Sequence, residues 1–499
     1  MFFRKDFFCN LILCHLQYNL LQKQTVKSAK RRLIHIPMKN RRYLLKLSAI
    51  IFLLGTAGYL ASCSGNDKNM KRETSVIHPE WSRNSVIYEV NIRHFTPEGT
   101  LSAFKQHLPR LKELGVDVLW LMPVNPIGII NKKGSVGSNY AIRDYMAVNP
   151  DFGTLQDFKI IVDSAHSLGM KVIIDWVANH SSWDNNLITE HPEWYTHDAT
   201  GKIISPNDDW IDVADLDYNQ AGLREYMKDA MIWWVKETDI DGFRCDMAGM
   251  VPLDFWNYTV AEIKKVKHVF MVAEWESPEM HDSAFDLTYG WEFFHLTNSV
   301  AKGEKTADDM DNMLKKEDSL YNPDAYRFRF TSNHDENYHA GSEYERMGDA
   351  AHAFAVLSFT VPGLPLIYSG QESGLKRRLR EFEKDTIEWG NYDLSIFYST
   401  LIRLKKDNKA LWNGNAGGPL TRIHTHSDRD VYVFLREKER NKVLVILNLT
   451  SKPQNVDLND HKIIGNYTNL FSAENIRLED EAIFQLRPWE YIIFFANND

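Results

Sequence analysis

Cysteine is nearly absent from most of this chain. Of four in 499 residues, Cys9, Cys14 and Cys63 fall near the start, and Cys245 stands alone in the rest. The long C-terminal body therefore has no internal disulfide to form, and its fold must rest on its core, which a chain of this size supplies. Long apolar runs are missing as well. The run Leu47–Ala61 has 15 residues, short of the ~20 that a membrane-spanning helix needs. No glycine-rich turn follows the first strand candidate, Val86–Val90, which argues against a dinucleotide-binding doubly wound sheet. Positive charge is scarce where nucleic acid would need it. Residues 1–62 hold eleven Lys and Arg and one acid, whereas the other 437 residues hold 47 basic against 66 acidic ones. A body with a charge of −19 is a poor partner for phosphate backbones. At 44% hydrophobic and 25% charged residues, the composition is that of a globular protein, and wholesale disorder is excluded.

The basic end has its own logic. Lys39, Arg41, Arg42 and Lys46 precede the apolar run, and Leu60-Ala61-Ser62-Cys63 and a polar stretch follow it. That is the pattern of a secretory signal. Met38 starts a compact signal by itself, so residues 1–37 are expected to be an upstream extension from a misassigned start. The tetrapeptide resembles a bacterial lipobox. The resemblance implies lipidation at Cys63, a membrane anchor through its acyl chains, and a tether over 63–78. Ser64 after the cysteine is compatible with the outer membrane of a Gram-negative cell, on either its periplasmic or its surface face.

The remaining chain alternates strand and helix. Strand candidates lie at 86–90, 116–122, 171–175, 240–246, 269–274, 284–288, 326–331 and 364–369. Helical spacing occurs at 101–111, 154–165, 219–238, 252–265, 345–359 and 394–406. Thr154 and Asp157 form a capping-box pattern at the head of one of these. Eight strands separated by helices predict a (β/α)₈ barrel over 79–408. An irregular insert rich in Trp, Asp and Asn, about 181–217, follows strand 3. Short strands with Asn- and Gly-rich turns over 409–499 predict a C-terminal β-sandwich domain.

A barrel of this kind carries its active site at the C-terminal strand ends. Those ends read Asp175 to His180, Arg244 with Asp246, Glu274, and Asn333-His334-Asp335. Burying that many charges together costs several kcal/mol, a cost that function explains and chance does not. Asp175-Trp176-Val177-Ala178-Asn179-His180, Gly242-Phe243-Arg244-Cys245-Asp246, Val272-Ala273-Glu274 and Ser332-Asn333-His334-Asp335 resemble, in order, the four signature segments of the α-amylase superfamily (glycoside hydrolase family 13). Asp215-Leu216-Asp217-Tyr218-Asn219 resembles its additional segment.

The resemblance implies a retaining glycosidase with Asp246 as nucleophile, Glu274 as acid and base, and Asp335 as the third carboxylate. It also implies that His180 and His334 hydrogen-bond the sugar, that Tyr140 stacks under it, and that Arg244 supports Asp246. Asp175 is either an orienting partner of the arginine or a structural residue. Cys245 points to the opposite face of its strand and is expected in the barrel wall. Two departures stand out. Ser138 occupies a position where many relatives have histidine, and Met247-Ala248 stands where many have Lys-His. No cofactor is implied as required. Calcium remains possible, with Asn179 as its candidate ligand, and Asp208, Asp209 and Asp212 read as turn residues or as further oxygen donors. Trp183, Trp194 and Trp210 are either sugar platforms or wall residues. The implied substrate is an α-1,4-glucan or malto-oligosaccharide. A glucanotransferase or isomerase with the same machinery, or a non-catalytic glycan-binding lipoprotein, is the alternative.

Overall fold

The computed structural model describes residues 76–497; the leader and Cys63 lie outside them. Among the described residues no helix is long and apolar enough to cross a membrane.

Eight parallel strands close a barrel: β1 (Ile87–Val90), β2 (Val118–Leu121), β3 (Lys171–Val177), β4 (Gly242–Asp246), β5 (Phe270–Ala273), β6 (Leu287–Thr288), β7 (Tyr326–Arg329) and β8 (Leu364–Tyr368). Each pairs with its neighbours in sequence, and β1 closes on β8. Closure leaves no unpaired strand edge. Side chains at alternate positions, among them Ile87, Val118, Trp120, Ile173, Val272, Phe328 and Leu366, fill the barrel interior. Those between them pack outward on the helices, which is why the strands read as apolar on both faces.

The described helices of seven or more residues are α1 (Leu108–Leu114), α2 (Leu155–Ser167), α3 (Ala221–Thr238), α4 (Leu253–Lys264), α5 (Trp291–Ala301), α6 (Ala307–Leu320), α7 (Ala351–Thr360) and α8 (Ser395–Asp407). At the head of α2, Asp157 N donates to Thr154 Oγ1 at 3.2 Å and Thr154 N donates to Asp157 Oδ2 at 2.8 Å. Such a cap contributes about 1 kcal/mol. Phe158, Ile161, Val162 and Ala165 then face the barrel, the larger of them adding roughly 1.5–3 kcal/mol each.

Three helical readings change. The stretch expected at 101–111 is two helices, Leu101–Lys105 and Leu108–Leu114. Helix α6 is absent from the expected helices, although Ala307, Met310, Met313 and Leu314 repeat at helical spacing and Thr306 and Asp309 cap it as a box. The single helix expected over 345–359 is broken at Gly348, whose φ of 55° is open mainly to glycine; α7 starts only after it.

The insert between β3 and α3 is pinned by a short antiparallel pair, His180–Ser182 with Val213–Asp215. The C-terminal strands are β9 (Leu420–Ile423), β10 (Val431–Lys438), β11 (Asn441–Asn448), β12 (Gln454–Asn459), β13 (Gly465–Asn469), β14 (Asn475–Leu478), β15 (Glu481–Leu486) and β16 (Tyr491–Asn497). They form a six-stranded sheet, β9-β10-β11-β16-β13-β14, and a two-stranded one, β12-β15. Val433, Ile446, Val456, Leu458 and Leu486 join the two sheets in one core.

Candidate active site

The mouth of the barrel is built around one arginine. Asp175 on β3 lies opposite Arg244 on β4 in the ladder, and Val177 lies opposite Asp246. Residues two apart share a face, so Arg244 and Asp246 both turn into the barrel while Cys245 packs in the outer apolar layer. Gly242 makes the placement possible. A Cβ there would sit 1.9 Å from the Phe270 carbonyl oxygen, so only glycine lets β4 lie this close to β5, the strand that carries Glu274.

The Arg244 guanidinium is fully buried and touches three carboxylates. Nη1 donates to Asp175 Oδ1 at 2.9 Å and to Asp246 Oδ1 at 3.0 Å. Nη2 lies 2.7 Å from Glu274 Oε1 in an ion pair without hydrogen-bond alignment. Nε donates to the Tyr289 hydroxyl at 3.3 Å, and the Trp120 ring lies 5.0 Å from the guanidinium carbon. Coulombic attraction in so dry a site is strong, and it outweighs the desolvation that would otherwise lower the arginine.

The two carboxyls on either side of the guanidinium are treated differently. Glu274 is buried, and burial first, then the charges of Asp246 and Asp335, push it up to about 8 despite Arg244. Its Oε2 accepts from Met247 N at 2.8 Å, a donor aimed by the left-handed backbone of Met247. Asp246 instead accepts the charge-assisted bond from Nη1, the stronger kind. Burial and Asp246 raise Asp175 to about 6 against the pull of Arg244.

A second chain of contacts crosses the mouth. His334 Nδ1 lies 2.5 Å from Glu89 Oε1 on β1, and Nε2 lies 2.7 Å from Tyr140 Oη and 3.3 Å from Asp335 Oδ2. Burial would lower the histidine, but Asp335 and Glu89 overcome it and hold His334 near 10. It is an imidazolium at neutral pH, with both nitrogens donating. Tyr140 Oη is then free to donate to Asp175 Oδ2, 3.1 Å away, while its ring stacks on His334 with centroids 5.3 Å apart. The Asp335 side chain is one-third exposed and opens into the mouth. Burial lowers His180, whose ring lies 5.4 Å from that of Trp210.

Asp246, Glu274, Asp335, Tyr140, Arg244 and His334 thus converge through direct contacts, with His180 at the edge toward the insert. Trp210 shares that edge. Trp194 instead stacks on His191 at 3.9 Å, and Trp183 spends its N–H on the Ile211 carbonyl at 2.9 Å. Asn179 is buried, its amide 3.3 Å from His180 Nδ1. Asp212 is buried against Lys133 at 3.1 Å, while Asp208 and Asp209 are exposed. Calcium takes six to eight oxygens. The Asp212 carboxylate is already matched by the Lys133 ammonium, and among the described residues no group of three or more His, Cys, Asp or Glu is arranged around a common metal position.

Three mouth residues escape sequence reasoning. Glu89 carried a usable signal, as the lone acid inside an apolar strand. Tyr289 sits just past the very short β6. Glu381 lies in an irregular charged loop after β8, buried, and raised to about 7 by burial and by Asp335.

Comparison with known proteins agrees with this geometry. The family model "Alpha amylase, catalytic domain" matches residues 64–212 and 192–411, and "Maltogenic Amylase, C-terminal domain" matches residues 421–493. Alpha-amylase MalA of Haloarcula japonica is 29% identical over 431 residues, which cover 82% of this chain and 62% of that longer protein. A noncanonic maltogenic alpha-amylase from Thermotoga neapolitana superimposes with a TM-score of 0.75 at 31% identity, over 83% of this chain and 98% of that one. An alpha-amylase from Lactobacillus plantarum superimposes with a TM-score of 0.74 at 30% identity, over 84% of this chain and all of that one. The chain belongs to the α-amylase family of glycoside hydrolases.

Proposed function

We propose that this enzyme hydrolyses α-1,4-glucosidic bonds in starch-derived maltodextrins by double displacement. The observation that carries the reading is the unequal treatment of two carboxyls on one guanidinium. Glu274, held near 8, keeps its proton at neutral pH and serves as the acid on the leaving oxygen. Asp246, oriented at 3.0 Å by Arg244, attacks the anomeric carbon and forms a glycosyl-enzyme. Glu274, deprotonated by the first step, then activates water for the second. One arginine touching both carboxylates keeps them near each other, as a covalent intermediate requires. Asp335, His334 and His180 bind the hydroxyls of the reacting sugar, with Tyr140 beneath its ring.

Asp246→Asn and Glu274→Gln are each expected to abolish turnover with the fold intact. Wild-type activity in either variant would refute the assignment of these two carboxyls. Products from maltoheptaose separate hydrolysis from transfer, since chains longer than the input mean that the glycosyl group passes to another sugar. The basic leader and Leu60-Ala61-Ser62-Cys63 support export and a lipid anchor at Cys63, at the outer membrane of a Gram-negative cell. Mass spectrometry of the mature N-terminus tests this, and a chain beginning upstream of Cys63 would refute it.

A further inference from the structure

The C-terminal domain meets the barrel on a face that is unusually cationic for so acidic a protein. Along β10, Val431, Val433 and Leu435 enter the sandwich core. The alternate positions Tyr432, Phe434, Arg436 and Lys438 therefore face the barrel side. Strand β9 pairs with it so that Leu420 lies opposite Arg436 and Arg422 opposite Phe434, which puts Arg422 on the same face. Between this face, α6 and the Pro362-Gly363 turn that leads into β8 lies a cavity of about 460 Å³. It adjoins the N-terminal end of β8, away from the catalytic mouth.

The barrel wall of the cavity is largely balanced. Glu317 accepts from Arg327 at 3.2 Å and from Arg329 at 3.1 Å, and Lys315 pairs with Asp311 at 2.7 Å. The β-domain wall is not. Arg436 is buried and donates only to main-chain carbonyls, Gly418 at 2.7 Å and Thr360 at 3.2 Å among them. Burial, with Arg329 close by, pulls it down to about 9. Lys438 Nζ reaches the Asn415 carbonyl at 2.8 Å. Arg422 stacks on Tyr432 with its guanidinium carbon 4.2 Å from the ring, its Nη2 donates to the Asp428 and Val431 carbonyls at 3.0 and 2.7 Å, and the Asp428 carboxylate lies 3.7 Å off in a loose ion pair. The side chain of Arg422 is only 5% exposed, yet its Nη1 is buried without a hydrogen bond. A buried guanidinium N–H left without an acceptor is unfavourable, and an oxyanion in the cavity would supply one.

We propose that this seam is a binding site for a small oxyanion carried on a sugar-sized ligand, a phosphate ester or a sugar carboxylate. The charge pattern selects the oxyanion, through Arg422, Arg436 and Lys438. The volume lies within the range of small-molecule sites, and Tyr321, Pro323 and Leu420 offer apolar contact for a ring. A ligand there bridges β9 and β10 to α6, so occupancy strengthens docking of the two domains.

The test uses the full mature enzyme. Inorganic phosphate, glucose 6-phosphate and glucuronate are titrated at constant ionic strength, with glucose as the neutral control, by calorimetry and thermal melting. Saturable binding is expected with a rise in Tm for the anions and none for glucose. The tighter of glucose 6-phosphate and glucuronate identifies which oxyanion the site is built for. Arg422→Gln and the more exposed Lys438→Gln should each weaken binding at least tenfold and leave maltodextrin turnover unchanged. Should Arg422→Gln fail to fold, Lys438→Gln decides. No saturable binding of any anion, or binding that is unchanged in the folded variants, overturns the proposal.

Discussion

Glu274 is held in a form that the fold must sustain at a cost, and Glu274→Gln measures that cost. Moving this carboxyl from its ordinary 4.5 to about 8 means that, once both states would ionise, the folded enzyme is penalised by at most about 5 kcal/mol, at about 1.4 kcal/mol per pH unit. Between those two values the folded state keeps a proton that the unfolded chain has released, so this group's contribution to stability falls as pH rises. Below about 4.5 the penalty is absent. Glutamine has the same shape and never ionises. The variant should therefore match the wild type near pH 4.5, exceed it by about 2 kcal/mol at pH 6, and exceed it by up to about 5 kcal/mol above pH 8. Urea unfolding midpoints of both proteins at pH 5, 6, 7 and 8.5 give the comparison. Wild-type kcat/KM should fall on an alkaline limb near pH 8, while the variant stays inactive throughout. A stability gap that does not change with pH, or an alkaline limb below pH 6, would refute the electrostatic account of this site.

Other perturbations probe the surrounding network. Glu89→Gln removes one of the two carboxylates that hold His334 near 10; the histidine should fall by about 1–3 units, read by NMR titration. A fall of more than about two units would take it below Glu274 and move the alkaline limb of kcat/KM to lower pH. Arg244→Lys replaces a planar fork that touches three carboxylates with a single ammonium; kcat is expected to drop about 10²-fold or more through misplacement of Asp246 and Glu274, measured on maltotriose or longer substrates. Lys133→Met leaves the buried Asp212 without its 3.1 Å partner and should cost about 1–3 kcal/mol, seen as a lower Tm. Because that ammonium already meets the Asp212 charge, dialysis against a calcium chelator should leave kcat and Tm of the wild type unchanged.

The contrast between Glu274 and α6 shows where reading the chain succeeds and where it stops. Barrel strands such as β2 and β3 are apolar on both faces and bounded by polar turns, so their existence and type are local properties. Asp246 and Glu274 directly follow the last apolar residue of their strands and can be found by walking along the chain. Helix α6 repeats Ala307, Met310, Met313 and Leu314 at helical spacing, but the acids and lysines between them mask the stripe. Glu381 is harder still, since nothing within its loop distinguishes it from its charged neighbours. It matters because the loop after β8 brings it near Asp335.

Residue order alone determined the alternation of strand and helix, the change to a C-terminal β domain, and the set of charged groups at the strand ends. These follow from short-range periodicity and from the two-residue repeat that places Arg244 and Asp246 on one face. Tertiary structure alone decided which carboxyl holds its proton and which accepts from the arginine. That difference comes from burial and from charges brought within a few ångströms across separate strands, as when Asp246 and Asp335 raise Glu274 or Glu89 holds His334 as a cation. Electrostatic energy depends on distance and on exclusion of water, and neither is a property of neighbours along the chain.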